Sequence, residues 1–195
     1  MNHKVDARGL SCPKPVIETK KVLDSLNEGS ILTIVDNEVA MHNVSKLVQS
    51  LNCQVEVKKE KEDFYIYITK GDKIEDIECE IEDEKNLVIL FGKDILGDGS
   101  EELGKILMKG YIYTLTEYSS YPKTLLFLNS GVKLTTEGSE VLDYLKLLEQ
   151  EGVEILSCGT CLDYFHLKDK LKVGSVTNMY TILDTLHSAK NRITL

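Results

Sequence analysis

An acid-rich stretch, Lys70 to Glu84, divides the chain and limits what either side of it can become. It reads KGDKIEDIECEIEDE and has no sustained apolar face. Residues 70–85 hold eight acidic residues and three lysines, which is -5 of a net charge of -9. Such a run is expected to be a polar linker, although Ile74, Ile77 and Ile81 leave open a short edge strand or helix packed on a neighbour. The 195 residues then fall into two small domains, 1–69 and 86–195, each long enough to bury its own core.

The charge bears on partners. A net charge of -9 disfavours nucleic acid held through a basic field. No apolar run approaches the length needed to span a bilayer, and Met1 to Leu10 shows no secretory pattern, so a cytoplasmic location is expected. In that reducing setting the five cysteines, Cys12, Cys53, Cys79, Cys158 and Cys161, fit a disulfide framework poorly. Some should be buried and some chemical.

Hydrophobic periodicity gives the elements. In the first domain Lys4 to Asp6, Ile31 to Val35, Val55 to Val57 and Phe64 to Ile68 read as strands, with Lys58 to Asp63 joining the last two. Pro13 to Leu26 reads as a helix, with Val16, Leu23 and Leu26 toward the core. Val44, Leu47, Val48 and Leu51 mark a second helix. The order βαβαββ predicts a two-layer α/β sandwich. In the second domain strands are expected at Leu87 to Phe91, Thr124 to Leu128, Val153 to Leu156 and Arg192 to Leu195. Helices are marked by Leu103, Ile106, Leu107, Gly110 and Tyr111; by Val141, Leu142, Leu145 and Leu148; and by Met179, Ile182, Leu183 and Leu186 with Thr177 or Asn178 as cap. This alternation predicts a parallel doubly wound α/β domain.

The sharpest chemical signal is Arg8-Gly9-Leu10-Ser11-Cys12-Pro13-Lys14-Pro15. Gly9 lets the chain turn out of the first strand, and Pro13 and Pro15 suit a first helical turn. Cys12 then sits at a helix start, where free amides, the helix dipole and Lys14 favour a thiolate. A cysteine packed under the helix is the competing reading. VDARGLSCPKPVIETKKVL, followed by GSILTIVDNEVAMHNVSKLVQSLNC, resembles the TusA (SirA-like) sulfur-carrier family. The resemblance covers about the first seventy residues. It implies the βαβαββ fold and a persulfide-carrying cysteine at Cys12.

The second signal is Ser157-Cys158-Gly159-Thr160-Cys161-Leu162, directly after an expected strand. Ligands gather at the carboxyl ends of strands in open parallel sheets. The loops Gly92 to Ser100 and Asn129-Ser130-Gly131 should lie on the same edge and form a shallow cleft with it. A short helix near Cys161 would again favour thiolates. Zinc would have Cys158, Cys161 and His166, one short of the usual ligand set, so no metal or other cofactor is expected. A thioredoxin-type redox pair fits the spacing, but the chain has no Trp. A relay of persulfide or selenium between adjacent thiols is the third reading, and two half-buried structural cysteines the fourth.

NSGVKLTTEGSEVLDYLKLLEQEGVEILSCGTCLDYFHLKDKLKVGSVTNMYTILDTL resembles the DsrE-like domain. The whole chain resembles the YedF group, in which a TusA-like domain is fused to a DsrE-like one and which is assigned to selenium metabolism. The resemblance implies a homo-oligomer formed through the second domain. The function expected is a sulfur or selenium carrier or transferase, with Cys12, Cys158 and Cys161 as the reacting thiols. Pro13, Lys14, Gly159, Thr160 and Asn129 would form the cargo environment. The partners would be a donor protein of the cysteine desulfurase type and an unidentified acceptor. The alternative is a non-catalytic thiol sensor or scaffold. Gly97-Asp98-Gly99-Ser100 is expected to be a capped helix start, since Asp98, Glu101 and Glu102 would repel phosphate. His166 is expected on the surface, Cys53 in the core, and Cys79 as incidental.

Overall fold

A computed structural model describes residues 2–71, 86–118 and 120–195. The chain divides into two compact units, Met1–Glu80 and Ile81–Leu195. The expected linker, from residue 72 on, and Cys79 within it lie outside the described residues.

The first unit runs β1 (Asn2–Asp6), α1 (Lys14–Asp24), β2 (Gly29–Val35), α2 (Glu38–Ser50), β3 (Gln54–Glu60) and β4 (Asp63–Lys70). Its sheet has the order β1-β2-β4-β3, with β1 parallel to β2 and the other pairs antiparallel. The fold is therefore the βαβαββ sandwich. Alternation along β2 and β4 puts Ile31, Val35, Phe64, Ile66 and Ile68 against Leu23 of α1 and Val44 and Val48 of α2. The helix expected from Val44, Leu47, Val48 and Leu51 forms, but only the two valines are fully buried, and Leu51 caps its end. Asn52 follows in the left-handed region at φ 54, with its N–H donating to the Gln49 carbonyl and that of Cys53 to the Val48 carbonyl. The β3–β4 hairpin is tighter than expected, because β3 runs on to Glu60 and Lys61 takes a positive φ. At the far end of β4, Lys70 Nζ donates to the carbonyls of Leu23 and Leu26, each at 2.7 Å, and satisfies the C-terminal end of α1.

The second unit runs β5 (Leu87–Phe91), α3 (Glu101–Thr116), β6 (Thr124–Phe127), a 3-10 turn (Asn129–Thr135), α4 (Leu142–Gln150), β7 (Glu154–Cys158), α5 (Gly159–Tyr164), β8 (Ser175–Thr177), α6 (Met179–Ser188) and β9 (Asn191–Thr194). Every strand pair is parallel, in the order β8-β7-β6-β5-β9. Helices flank the sheet, and its three central strands β7, β6 and β5 are mostly buried, while the edge strands β8 and β9 are largely exposed. Ile89, Phe91, Leu125, Phe127 and Ile155 meet α3 and α4 on one face. Val88, Leu126, Leu156 and Cys158 meet Ile182 of α6 on the other. Ser100 caps α3 through Leu103 N–H, as expected for the Gly97-to-Ser100 turn, and Asn178 rather than Thr177 caps α6.

Of the apolar face that marks α3, Tyr111 packs on the core but the leucines and isoleucine do not. Gly104, Met108, Ile112 and Thr116 face the core, while Leu103, Ile106 and Leu107 are 53%, 62% and 45% exposed. Apolar residues surround most of this helix, so periodicity could not choose a side. Packing chose the one where Gly104 lets the helix approach Ile95 and Leu96 closely. In α6 the expected face is likewise only partly buried, and Met179 and Leu183 stay exposed.

Met108→Ala should therefore cost about 2–5 kcal/mol of stability in denaturant unfolding of the monomeric chain, whereas Leu107→Ala should stay within about 0.5 kcal/mol there. A reversed ranking would restore the face expected from periodicity.

Candidate functional site

Cys12 ends a loop held from three directions. Arg8 donates from Nε and Nη2 to the Asp6 carboxylate and from Nη1 to Asp63 at 3.1 Å, tying the end of β1 to the start of β4. This pairing holds the Asp6 carboxyl down at about 2, from an ordinary 3.8. Gly9, at φ 72, donates its N–H to Asp36 at 2.7 Å, so the turn out of β1 is fastened to the end of β2. That bond, with one from Asn37, lowers the Asp36 carboxyl. Asn37 in turn caps α2 through Ala40 N–H.

The peptide bond between Cys12 and Pro13 is cis. Pro13 is the N-cap of α1, Lys14 its first residue and Pro15 follows, buried. Cys12 is exposed and carries no disulfide. The free amides expected to face it are not there. Pro13 and Pro15 have no N–H, the Lys14 N–H donates to Ser11, and those of Val16 and Ile17 donate to the Pro13 carbonyl. The groups around Cys12 are therefore the N-terminal end of α1, the exposed Lys14 nearby in sequence, and the Asn43 side-chain amide. Asn43 Nδ2 lies 3.8 Å from Cys12 Sγ, a long contact to a weak acceptor. Sequence reasoning missed Asn43. Its signal is a polar residue on the margin of the apolar stripe of α2, beside Val44.

At the second thiol pair, β7 is longer than expected and ends on Cys158, and α5 begins at once with Gly159. Strand alternation separates the two neighbours. Ser157 meets the Thr135 hydroxyl at 2.8 Å, while Cys158 is only 2% exposed and packs in the cluster under α6. One helical turn on, Cys161 returns over the strand end, partly exposed and touching the clusters on both sheet faces. The Asn129 main-chain N–H donates to Cys161 Sγ at 3.1 Å, with Asn129 itself at φ 49. Ser130 Oγ accepts from Asp94 N–H at 3.2 Å. The three strand-end loops thus meet at one edge, and the thiol that a neighbouring loop touches is Cys161. Gly159 leaves room for Val176 and Thr177, and Thr160 is exposed.

The expected acidity of this pair fails for Cys161. Burial pushes its thiol up, the neighbouring Cys158 thiol adds to that, and only the Asn129 N–H opposes. A six-residue helix does not outweigh burial. His166 is an exposed helix C′ residue at φ 57; its N–H donates to the Asp163 carbonyl and that of Leu167 to the Leu162 carbonyl. Among the described residues, no three His, Cys, Asp or Glu side chains come together as a metal-holding group. Cys53 is buried in the first core, as expected. No helix among the described residues is long and apolar enough to cross a membrane.

Comparison with known proteins matches the first unit to a family. The family described as sulfurtransferase TusA matches residues 3–70. A protein of Methanocaldococcus jannaschii, provisionally named as a sulfur carrier, is 35% identical over 68 residues; these are 34% of this chain and 91% of that protein. The crystal structure of a SirA-like protein from Desulfitobacterium hafniense is 32% identical and covers 37% of this chain and 100% of its own, with a TM-score of 0.35. The E. coli YchN structure, 20% identical, covers 57% of this chain and 99% of its own, with a TM-score of 0.45.

Two measurements check these geometries. The Gly9 amide resonance should titrate with Asp36 at a midpoint below the ordinary carboxylate range, because the bond favours the charged carboxyl. The stability that Asp6 and Asp36 lend the loop is then complete above about pH 4. It fades as pH falls through their lowered values, toward about 2 for Asp6. In Cys158→Ala, the alkylation profile of Cys161 should move to lower pH, since one cause of its raised value is gone. An unmoved profile would mean that burial alone sets it.

Proposed function

Because this chain belongs, through residues 3–70, to the TusA sulfurtransferase family, we propose that it carries sulfur as a persulfide on Cys12 and passes it to the thiols of the second unit. The observation that carries this reading is the exposed Cys12 itself, presented on a loop tied to β2 and β4 and framed by Pro13 and Pro15. A persulfide placed there extends into solvent, where an acceptor thiolate can attack its outer sulfur. The Asn43 amide supports the thiolate that is left behind.

The donor is a protein of the cysteine desulfurase type, and selenium is a second cargo. Both points rest on the resemblance to the YedF group. Resemblance to the DsrE-like domain makes the second unit the receiver. In its support, that unit offers a partly exposed cysteine and a buried one, both free, with Cys161 packed against the cluster that holds Cys158. It is also the unit through which copies of the chain associate. The outward face of α3, with Leu103, Ile106 and Leu107, is too apolar for a surface facing only water.

Loading with labelled sulfur tests the relay. Cys12→Ser should keep the fold and abolish loading of the first unit by a desulfurase. In the unaltered chain, label placed on Cys12 should appear on the peptide carrying Cys158 and Cys161 within minutes, and selenide should compete for it. Label that leaves Cys12 only to added reductant would make the second unit a scaffold or sensor. Ile106→Asp should lower the mass of the full chain in light scattering. An unchanged mass would remove the α3 face from the interface.

A further inference from the structure

The two cysteines of the second unit occupy unlike places. Cys158 is the last residue of β7 and is sealed in the cluster of Val88, Leu126, Leu156, Ile182 and Ala189. Cys161 is partly exposed. A donor's persulfide, large and charged, can reach only the second without opening the core. The Asn129 N–H adds to this, pointing at Cys161 Sγ from 3.1 Å. Its aim is built in. Leu128 N–H donates to the Phe91 carbonyl at 2.9 Å, Gly131 N–H to the Leu128 carbonyl at 2.9 Å, and Thr135 is bonded to Ser157. A Cβ on Gly131 would sit 2.3 Å from the Phe91 carbonyl oxygen, so this turn cannot drift toward the strand. Asn129 holds a left-handed conformation that Asn tolerates better than most residues.

Resting on the thiol chemistry proposed above, we infer that Cys161 is the receiving thiol, Cys158 the discharging one, and the Asn129 main-chain amide the positioning group that steadies charge on the Cys161 sulfur. The Cys161 thiolate attacks the outer sulfur of a donor persulfide. The donor S–S bond breaks, its electron pair leaves on the donor thiolate, and the proton given up by Cys161 balances that charge. Cys161 now bears one extra sulfur. The Cys158 thiolate then attacks Cys161 Sγ, the bond to the outer sulfur breaks, and hydrosulfide leaves. Two cysteine sulfurs are oxidised to a Cys158–Cys161 disulfide, and the cargo sulfur is reduced to the sulfide level. A dithiol reductant resets the pair by two electrons. Because burial of Cys158 keeps it from the donor but not from its neighbour, charging and discharge follow in that order.

The test uses the full chain with Cys12→Ser and sodium tetrasulfide as the sulfur source, followed by mass spectrometry with fragmentation to locate the added atom. Adding Cys158→Ala should leave one extra sulfur on Cys161 that persists. Adding Cys161→Ser should slow charging about tenfold or more and leave Cys158 free. With both cysteines present the adduct should be transient and give one hydrosulfide per disulfide. Charging of Cys158 in the Cys161→Ser chain at the undiminished rate would overturn the assignment. So would the absence of a Cys161 adduct in a Cys158→Ala chain that keeps native circular dichroism. Should that variant misfold, the order of alkylation in the native protein decides, with Cys161 reacting about tenfold or more ahead of Cys158. Tetrasulfide bypasses Cys12, so a failed relay from the first unit and a wrong assignment within the second give different results.

Discussion

The passage of Gly131 beneath the Phe91 carbonyl sets the distances on which the second thiol pair depends. No side chain fits between that oxygen and the turn after β6. The turn therefore lies close against the end of β5, with Ser130 accepting from Asp94 and Thr135 meeting Ser157 at the foot of β7. Three neighbouring strands are in this way linked at their carboxyl ends by short polar contacts. The amide that meets Cys161 is the outermost product of that arrangement. Parallel sheets place chemistry at this edge because every strand delivers a loop there.

The two thiol centres use opposite physics. Cys12 is exposed on a loop whose nearest amides are missing or engaged elsewhere, so solvent and the end of α1 set its surroundings. Cys161 sits where burial disfavours charge and one fixed amide partly offsets that. The relay proposed above would carry a sulfur atom from an exposed site to one more sheltered from water.

Much of this was legible in the sequence, and the misses have a common cause. The strands of the first unit, all those of the second but the short, exposed β8, the capped starts of α3 and α6, and the stretch around Cys12 could be read because local rules act there: period-two burial, side-chain caps, and proline in the first helical turn. The core faces of α3 and α6 could not be read. Leu103, Ile106 and Leu107 are as apolar as Met108 and Ile112, and only the neighbouring elements decide which side is covered. Asn129 was expected near the cargo because of its loop, but its contact is made by the backbone, and a main-chain N–H carries no mark in the sequence. The direction for Cys161 was missed because the dipole of a short helix is visible in a motif and burial is not.

The position of β9 has a consequence for how the second unit is made. Asn191–Thr194 pairs with β5, the first strand of that unit, and Leu195 donates to Leu90 while accepting from Gly92. During synthesis β5 can pair with β6 early but keeps one bare edge until the last strand emerges, and bare parallel edges recruit other chains. The βαβαββ unit, complete once Lys70 reaches the end of α1, has no such wait. A nascent chain halted before residue 191 would hold a finished sulfur-carrier unit beside an open edge. Loss of the final strand should therefore show first as aggregation of the second unit rather than as loss of the first.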